Sequence, residues 1–225
     1  VPAPSSDADL ELDGPLCHTG SMSKIFHLFT PGADPVCAPL LLLHGTGGTE
    51  LDLLPLARDL SPETSTLSVR GTVAIEGGFA FFHRHPDRTV NEADITERAS
   101  TLASFIEKCS SYHGFAAPIA VGFSNGAIMT AALLLTRPSL LSGAILFRPL
   151  SPLSKDLPAR MHATPVLIID GKNDTRRSRG DGLRLAERLT RAGAAVTHHV
   201  LHAGHAITSG DRQIARGWFA KRVQT

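Results

Sequence analysis

Residues 118–135 read Pro118-Ile119-Ala120-Val121-Gly122-Phe123-Ser124-Asn125-Gly126-Ala127-Ile128-Met129-Thr130-Ala131-Ala132-Leu133-Leu134-Leu135. The apolar run Pro118 to Gly122 has the length of a buried strand, and the run from Gly126 to Leu135, closed by Arg137-Pro138, has the length of a helix. Phe123-Ser124-Asn125 alone separates the two. A junction that short lifts the serine hydroxyl off the end of the sheet, and flanking glycines admit the close backbone packing it needs. Gly122 to Gly126 therefore reads as G-x-S-x-G with Ser124 as nucleophile. The competing reading, a serine that only N-caps a helix beside packing glycines, is disfavoured by the strand before and the helix after.

The same alternation extends in both directions. Upstream, Ile25 to Phe29 and Pro39 to Leu43 read as strands, Leu51 to Leu60 as a helix and Thr66 to Val69 as a strand. Gly71 to Thr89, rich in Gly and Phe, is expected to be irregular, and Glu92 to Cys109 to be an amphipathic helix. Downstream, Gly143 to Phe147, Pro165 to Asp170 and Ala195 to Leu201 read as strands, with helices over Asp181 to Ala192 and Thr208 to Val223. Continuous Val/Ile/Leu strands imply burial on both faces. The expectation is an α/β domain with a mostly parallel central sheet, helices on both faces and right-handed crossovers. It spans 21–225 as a single domain after a flexible Pro/Ser/Asp leader over 1–20, with no internal repeat.

Composition bounds the function. The chain has 225 residues, 42% of them hydrophobic, enough for one substantial core, and a net charge of +1 that leaves no footprint for nucleic acid or an anionic membrane surface. A small, uncharged substrate is the easier fit. No apolar run reaches the roughly 20 residues of a membrane span. Three widely spaced cysteines, Cys17, Cys37 and Cys109, fit reduced thiols in a cytoplasm better than a disulfide framework, with a Cys17–Cys37 bridge as the alternative. The first residues lack the basic and apolar regions of a signal peptide, although a chain starting at valine leaves export with a removed signal open.

A serine needs a base and an orienting acid, which in this topology follow it in the order acid, histidine. His205, in Leu201-His202-Ala203-Gly204-His205, lies just past the last expected strand, at the carboxyl edge where Ser124 emerges. Among the 11 histidines, His198, His199 and His202 read as packing or surface residues. A metal cluster built from them is disfavoured, because successive strand positions face opposite ways and no matching carboxylate or cysteine set accompanies them. The loop Asp170-Gly171-Lys172-Asn173-Asp174 offers two acids. Asp174, on the loop itself, is preferred over Asp170 at the strand end. The oxyanion needs two backbone N–H donors: Asn125 after the nucleophile, and Thr46 in the glycine-rich turn His44-Gly45-Thr46-Gly47-Gly48-Thr49. That turn lacks the Gly-Lys-Ser/Thr end of a phosphate cradle, and Glu50 and Asp52 would repel phosphate.

With these motifs in view, the chain resembles the bacterial phospholipase/carboxylesterase family of α/β-hydrolases, a group similar to acyl-protein thioesterases and dienelactone hydrolases. The resemblance rests on Leu42-Leu43-His44-Gly45-Thr46-Gly47-Gly48-Thr49-Glu50, Asp52 to Ala57, Val69-Arg70-Gly71, Gly122 to Ala127, Gly171-Lys172-Asn173-Asp174 and Ala203-Gly204-His205. It implies the α/β-hydrolase fold, hydrolysis of carboxylic esters through an acyl-serine intermediate, the triad Ser124, Asp174 and His205, no metal or organic cofactor, and a homodimer that no sequence patch compels. A serine stands where a dienelactone hydrolase would carry a cysteine.

Phe79 and Phe82, with Phe81, His83 and Arg84, either wall the substrate site or pack on the sheet; Arg148 either adds a wall or serves a structural ion pair. The substrate expected is a small to medium acyl or aromatic ester, since no inserted segment is long enough for a lid domain. Trp218 reads as core. An acyl thioesterase and a hydrolase-fold binding protein without turnover are the competing functions.

Overall fold

The computed structural model describes residues 25–33, 38–87, 89–156 and 160–223. The leader expected over 1–20 and the Cys17 and Cys37 thiols lie outside the described residues. In chain order the elements are β1 (His27–Thr30), β2 (Leu40–Leu43), α1 (Leu54–Leu60), β3 (Thr66–Val69), β4 (Val73–Ile75), β5 (Gly78–Ala80), α2 (Glu92–His113), β6 (Ile119–Phe123), α3 (Asn125–Thr136), β7 (Gly143–Phe147), β8 (Pro165–Gly171), α4 (Asp181–Arg191), β9 (Ala195–Leu201) and α5 (Ser209–Val223). Seven strands form one sheet in the order β1-β3-β2-β6-β7-β8-β9. Only β1 runs antiparallel to its neighbour in this sheet.

One expectation fails. The stretch 71–89 is not irregular throughout: β4 and β5 pair antiparallel across Glu76-Gly77, where Gly77 takes a φ of 82° that a hairpin turn requires. Helix α2 also runs one turn further than its amphipathic pattern suggested, and stops at Gly114, whose left-handed backbone accommodates the end of the helix. Asn91 starts it by accepting the Asp94 N–H at 3.1 Å.

Alternation along the strands sorts the core into two layers. Leu41, Leu43, Ala144, Leu146, Val166 and Ile168 face α2, α3 and α4, whereas Leu40, Leu42, Ile145, Phe147, Leu167 and Ile169 face α1 and α5. Burying each Leu, Ile or Phe contributes roughly 1.5–3 kcal/mol, so a sheet covered on both faces needs the near-continuous apolar strands seen here. The helices that follow β2 and β6, α1 and α3, lie on opposite faces of the sheet. The carboxyl ends of these adjacent strands therefore open a crevice between diverging chains.

The turn after β6 is strained. Ser124 has φ 53° and ψ −105°, held by its N–H to the Phe147 carbonyl at 2.9 Å and by the Gly126 N–H to the His44 carbonyl at 3.0 Å. A side chain at 126 is excluded, because a Cβ there would lie 2.0 Å from the Leu43 carbonyl oxygen.

Across the sheet, Arg148 and Asp211 form a fully buried bidentate pair, Nη1 to Oδ1 at 2.7 Å and Nη2 to Oδ2 at 2.9 Å. Burial alone would raise the Asp211 carboxyl, but hydrogen bonds from Arg148 and Thr208 outweigh it and hold the group below the usual carboxylate range. Asp211→Ala would leave a buried cation without its anion, and urea unfolding should show a loss of about 3–5 kcal/mol; a loss under about 1 kcal/mol would mean that water reaches the guanidinium. Gly126→Ala should lower Tm sharply or abolish soluble protein. By contrast Gly217→Ala, in α5 with open space around its Cβ, should raise stability by up to roughly 1 kcal/mol.

Candidate active site

Three segments at the carboxyl edge of the sheet bring Ser124, His205 and Asp174 into one hydrogen-bonded line. His205 Nε2 lies 2.9 Å from Ser124 Oγ, and His205 Nδ1 lies 2.7 Å from Asp174 Oδ2. The loop after β8 is sewn to the loop after β9 by the Lys172 N–H to the Leu201 carbonyl at 2.8 Å and the Asn173 N–H to the Ala203 carbonyl at 3.0 Å. The second Asp174 oxygen accepts the Arg176 N–H at 2.8 Å, which fixes the plane of the carboxylate. Of the two acids weighed from sequence, Asp170 is committed elsewhere, to His198 Nε2 at 2.7 Å.

These contacts define the proton on the imidazole. The ionised carboxylate can only accept, so Nδ1 carries the hydrogen and Nε2 is left as an acceptor for the serine hydroxyl. Burial lowers the His205 pKa, against the opposing pull of Asp174 and with added repulsion from Arg177 and Arg176. Burial thus favours the neutral ring, the form that can accept at Nε2.

The glycine-rich turn is tied down from three sides. His44 is buried, with Nδ1 2.7 Å from the Gly45 carbonyl and Nε2 2.9 Å from the Gly71 N–H that it accepts. Accepting at Nε2 requires the neutral ring, and desolvation lowers its pKa accordingly. The hairpin contributes as a clasp: the Gly47 N–H donates to the Phe79 carbonyl at 2.9 Å, and the Phe79 N–H to the Gly48 carbonyl at 3.1 Å. Glu50 receives Arg70 through both carboxylate oxygens, and the Arg70 guanidinium lies over the rings of Phe26 and Phe79. Thr46, at the tip, faces a cleft of about 650 Å³ that also contains Ser124 and His205. The Asn125 side chain accepts the Phe81 N–H at 2.7 Å, so that side chain has a structural task. Among the described residues no hydrogen bond takes up the backbone N–H of Thr46 or of Asn125.

Of the sequence-derived walls, Arg84 lines the cleft, whereas Phe79, Phe82 and Arg148 do not. Phe82 is buried in the core, and Phe79 packs against Arg70 as part of the clasp, because the hairpin turns both rings toward the sheet and the turn it holds. Arg148 resolves as the ion-pair partner: besides Asp211 it donates to the carbonyls of Gly204 at 2.9 Å and Ala206 at 3.1 Å, the residues on either side of His205. It braces the histidine loop from behind. Among the described residues no three His, Cys, Asp or Glu side chains converge as metal ligands would, and no helix is long and apolar enough to cross a membrane.

One residue escaped the sequence reading. Arg177 Nη2 lies 3.0 Å from Ser124 Oγ, and its Nε donates to the Arg148 carbonyl at 2.7 Å. Arg84 and Arg176 line the same cleft, as do Leu150 and Leu153. In the sequence, Arg176-Arg177-Ser178-Arg179 has the look of a solvated loop; its position directly after the acid was the available signal.

The geometry agrees with what the chain is similar to. Residues 29–221 match the family described as Phospholipase/Carboxylesterase. MhqD of Bacillus subtilis (strain 168) is 37% identical over 186 residues, which cover 82% of this chain and 93% of that protein. The Bacillus cereus carboxylesterase superposes with a TM-score of 0.85 at 37% identity, over 88% of this chain and 95% of that one. A carboxylesterase from Mesorhizobium loti superposes with a TM-score of 0.79 at 30% identity, over 84% and 90% of the two chains. The chain belongs to the phospholipase/carboxylesterase family and has the α/β-hydrolase fold of that group.

Proposed function

We propose that this protein hydrolyses small to medium acyl or aromatic carboxylic esters through an acyl-serine intermediate, with Ser124 as nucleophile, His205 as general base and acid, and Asp174 as the group that orients the imidazole. The observation that carries the reading is the unbroken line from Asp174 Oδ2 through His205 to Ser124 Oγ, at 2.7 and 2.9 Å, opening on a cleft.

In the first half-reaction His205 Nε2 takes the Ser124 proton as Oγ attacks the ester carbonyl carbon. The carbonyl electron pair moves onto oxygen, where the Thr46 and Asn125 N–H groups receive it. Collapse of the tetrahedral species breaks the ester C–O bond, and the imidazolium protonates the departing alcohol. In the second half-reaction water adds to the acyl-serine by the same route, releasing the acid and restoring the Ser124 hydroxyl. Two supports stand behind these steps. The strained turn at Ser124 presents Oγ to the crevice, and the buried ties on His44 and Glu50 hold the Thr46 turn before substrate arrives, so little reorganisation accompanies charge development.

A fluorophosphonate should label Ser124 alone, by peptide mass spectrometry, and p-nitrophenyl acetate and butyrate should turn over equally with and without EDTA. Ser124→Ala and His205→Ala should each lose about a thousand-fold or more in kcat, and Asp174→Asn somewhat less. An unlabelled Ser124 in folded, inactive protein would sink the reading in favour of a binding protein. Since protonated His205 cannot accept the serine proton and its pKa is lowered, kcat/KM should rise with pH and level off, with a midpoint below the ordinary histidine value of 6.5; a midpoint above that value would mean that the Asp174 carboxylate outweighs burial.

A further inference from the structure

Arg177 occupies ground that a substrate must enter. Its guanidinium donates to three acceptors, the Ser124 hydroxyl at 3.0 Å and the carbonyls of Arg148 at 2.7 Å and Arg176 at 3.0 Å, all of them uncharged. Among the described residues no carboxylate is ion-paired with it. The acids that share the cleft are engaged by other groups: Asp181 by Arg184 at 2.5 Å and the Ser178 N–H at 2.8 Å, Glu92 by the Ser154 N–H at 2.7 Å, and Asp87 by Thr89 at 2.6 Å.

A cation withdrawn from water without a counter-ion is destabilised. Desolvation first, then repulsion from Arg84, lowers the Arg177 pKa to about 10, with Asp174 opposing; the group stays positive at neutral pH. Arg84 and Arg176 add further positive charge to the same walls. The group that balances such a charge is an anion, and the planar fork of a guanidinium suits a carboxylate.

Distance then limits where that anion is attached. A reacting carbonyl approaches to roughly 3–3.5 Å of its nucleophile, and Nη2 lies 3.0 Å from the same oxygen. We infer that Arg177 is a specificity-determining residue that receives a carboxylate borne one or two carbons from the scissile ester group. The substrate is then either a half-ester of a short dicarboxylic acid, with the charge on the acyl side, or an acyl ester of a hydroxy acid, with the charge on the alcohol side. The inference rests on Ser124 being the nucleophile and narrows the substrate class proposed for it. On binding, the carboxylate takes the guanidinium hydrogen that Ser124 Oγ accepts at 3.0 Å, which frees that oxygen for attack.

The test compares kcat/KM, by pH-stat titration, within two isosteric pairs: monomethyl succinate against methyl succinamate for the acyl side, and 2-acetoxypropanoate against 2-acetoxypropanamide for the alcohol side. In the wild type one pair should favour the acid by roughly 10- to 100-fold, the worth of a charge-assisted hydrogen bond. Which pair does so identifies the side. Arg177→Gln should collapse that ratio whatever it does to the amide, and Arg177→Lys should restore part of it. A ratio of one or less in both pairs, or a preference that survives Arg177→Gln, overturns the inference. Should the variants not fold, inhibition of wild-type p-nitrophenyl acetate hydrolysis decides: succinate should compete at least about ten-fold better than succinamide, and equal inhibition overturns it. Turnover persisting in Ser124→Ala would instead overturn the nucleophile reading and leave Arg177 beside a bystander.

Discussion

The fit of the turn after β6 against the end of β2 is the contact on which the site depends. These two strands are parallel neighbours, and the backbone at Gly126 closes so tightly on Leu43 and His44 that there is no room for a side chain. Two residues before that approach, Ser124 holds its positive φ, with the Gly126 N–H tied to the His44 carbonyl. Strain of this kind persists only where the surroundings over-determine it, and the surroundings here are a sheet buried on both faces.

Two polar clusters, one on each side of the crevice, carry that order outward. On the β2 side, His44, Glu50 and Arg70 link the glycine-rich turn to β3 and to the hairpin, so that a backbone turn made almost wholly of small residues has a defined shape. On the β7 side, Arg148 and Asp211 grip the carbonyls that flank His205 and the first turn of α5. Both clusters place an arginine against a carboxylate in bidentate geometry. Their value lies in register rather than net stability, since a buried ion pair recovers little beyond its own desolvation.

Much of this was legible beforehand, for reasons that differ by element. The strands β2, β7 and β8 follow directly from continuous apolar runs, and the junction at Ser124 from the absence of any linker between strand and helix. Asp174 and His205 were readable because topology puts both past strand ends. The hairpin was not: its strands are three residues each, too short for a period-2 signal, and four of those six residues are exposed or half-buried. Arg148 and Asp211 are separated by 63 positions, and no local pattern pairs them. Arg177 was hidden by averaging, because a net charge of +1 for the chain says nothing about a cleft lined by three arginines.

The cleft is assembled from parts with unequal freedom to change. Ser124, Asp174 and His205 follow the ends of β6, β8 and β9, whereas the outer wall comes from segments near Arg84 and Leu150, joined to each other through Glu92 and Ser154 at the surface. Substitutions at the polar positions of that outer wall can alter what enters, whereas Leu150 and Leu153 also pack against the core. Arg177 belongs to neither layer: it shares a loop with Asp174 and touches Ser124, so mutational drift that altered its charge would be felt at the Asp174 carboxylate as well. Divergence in this lineage should accordingly be freer in the pocket rim than in the charge at its floor.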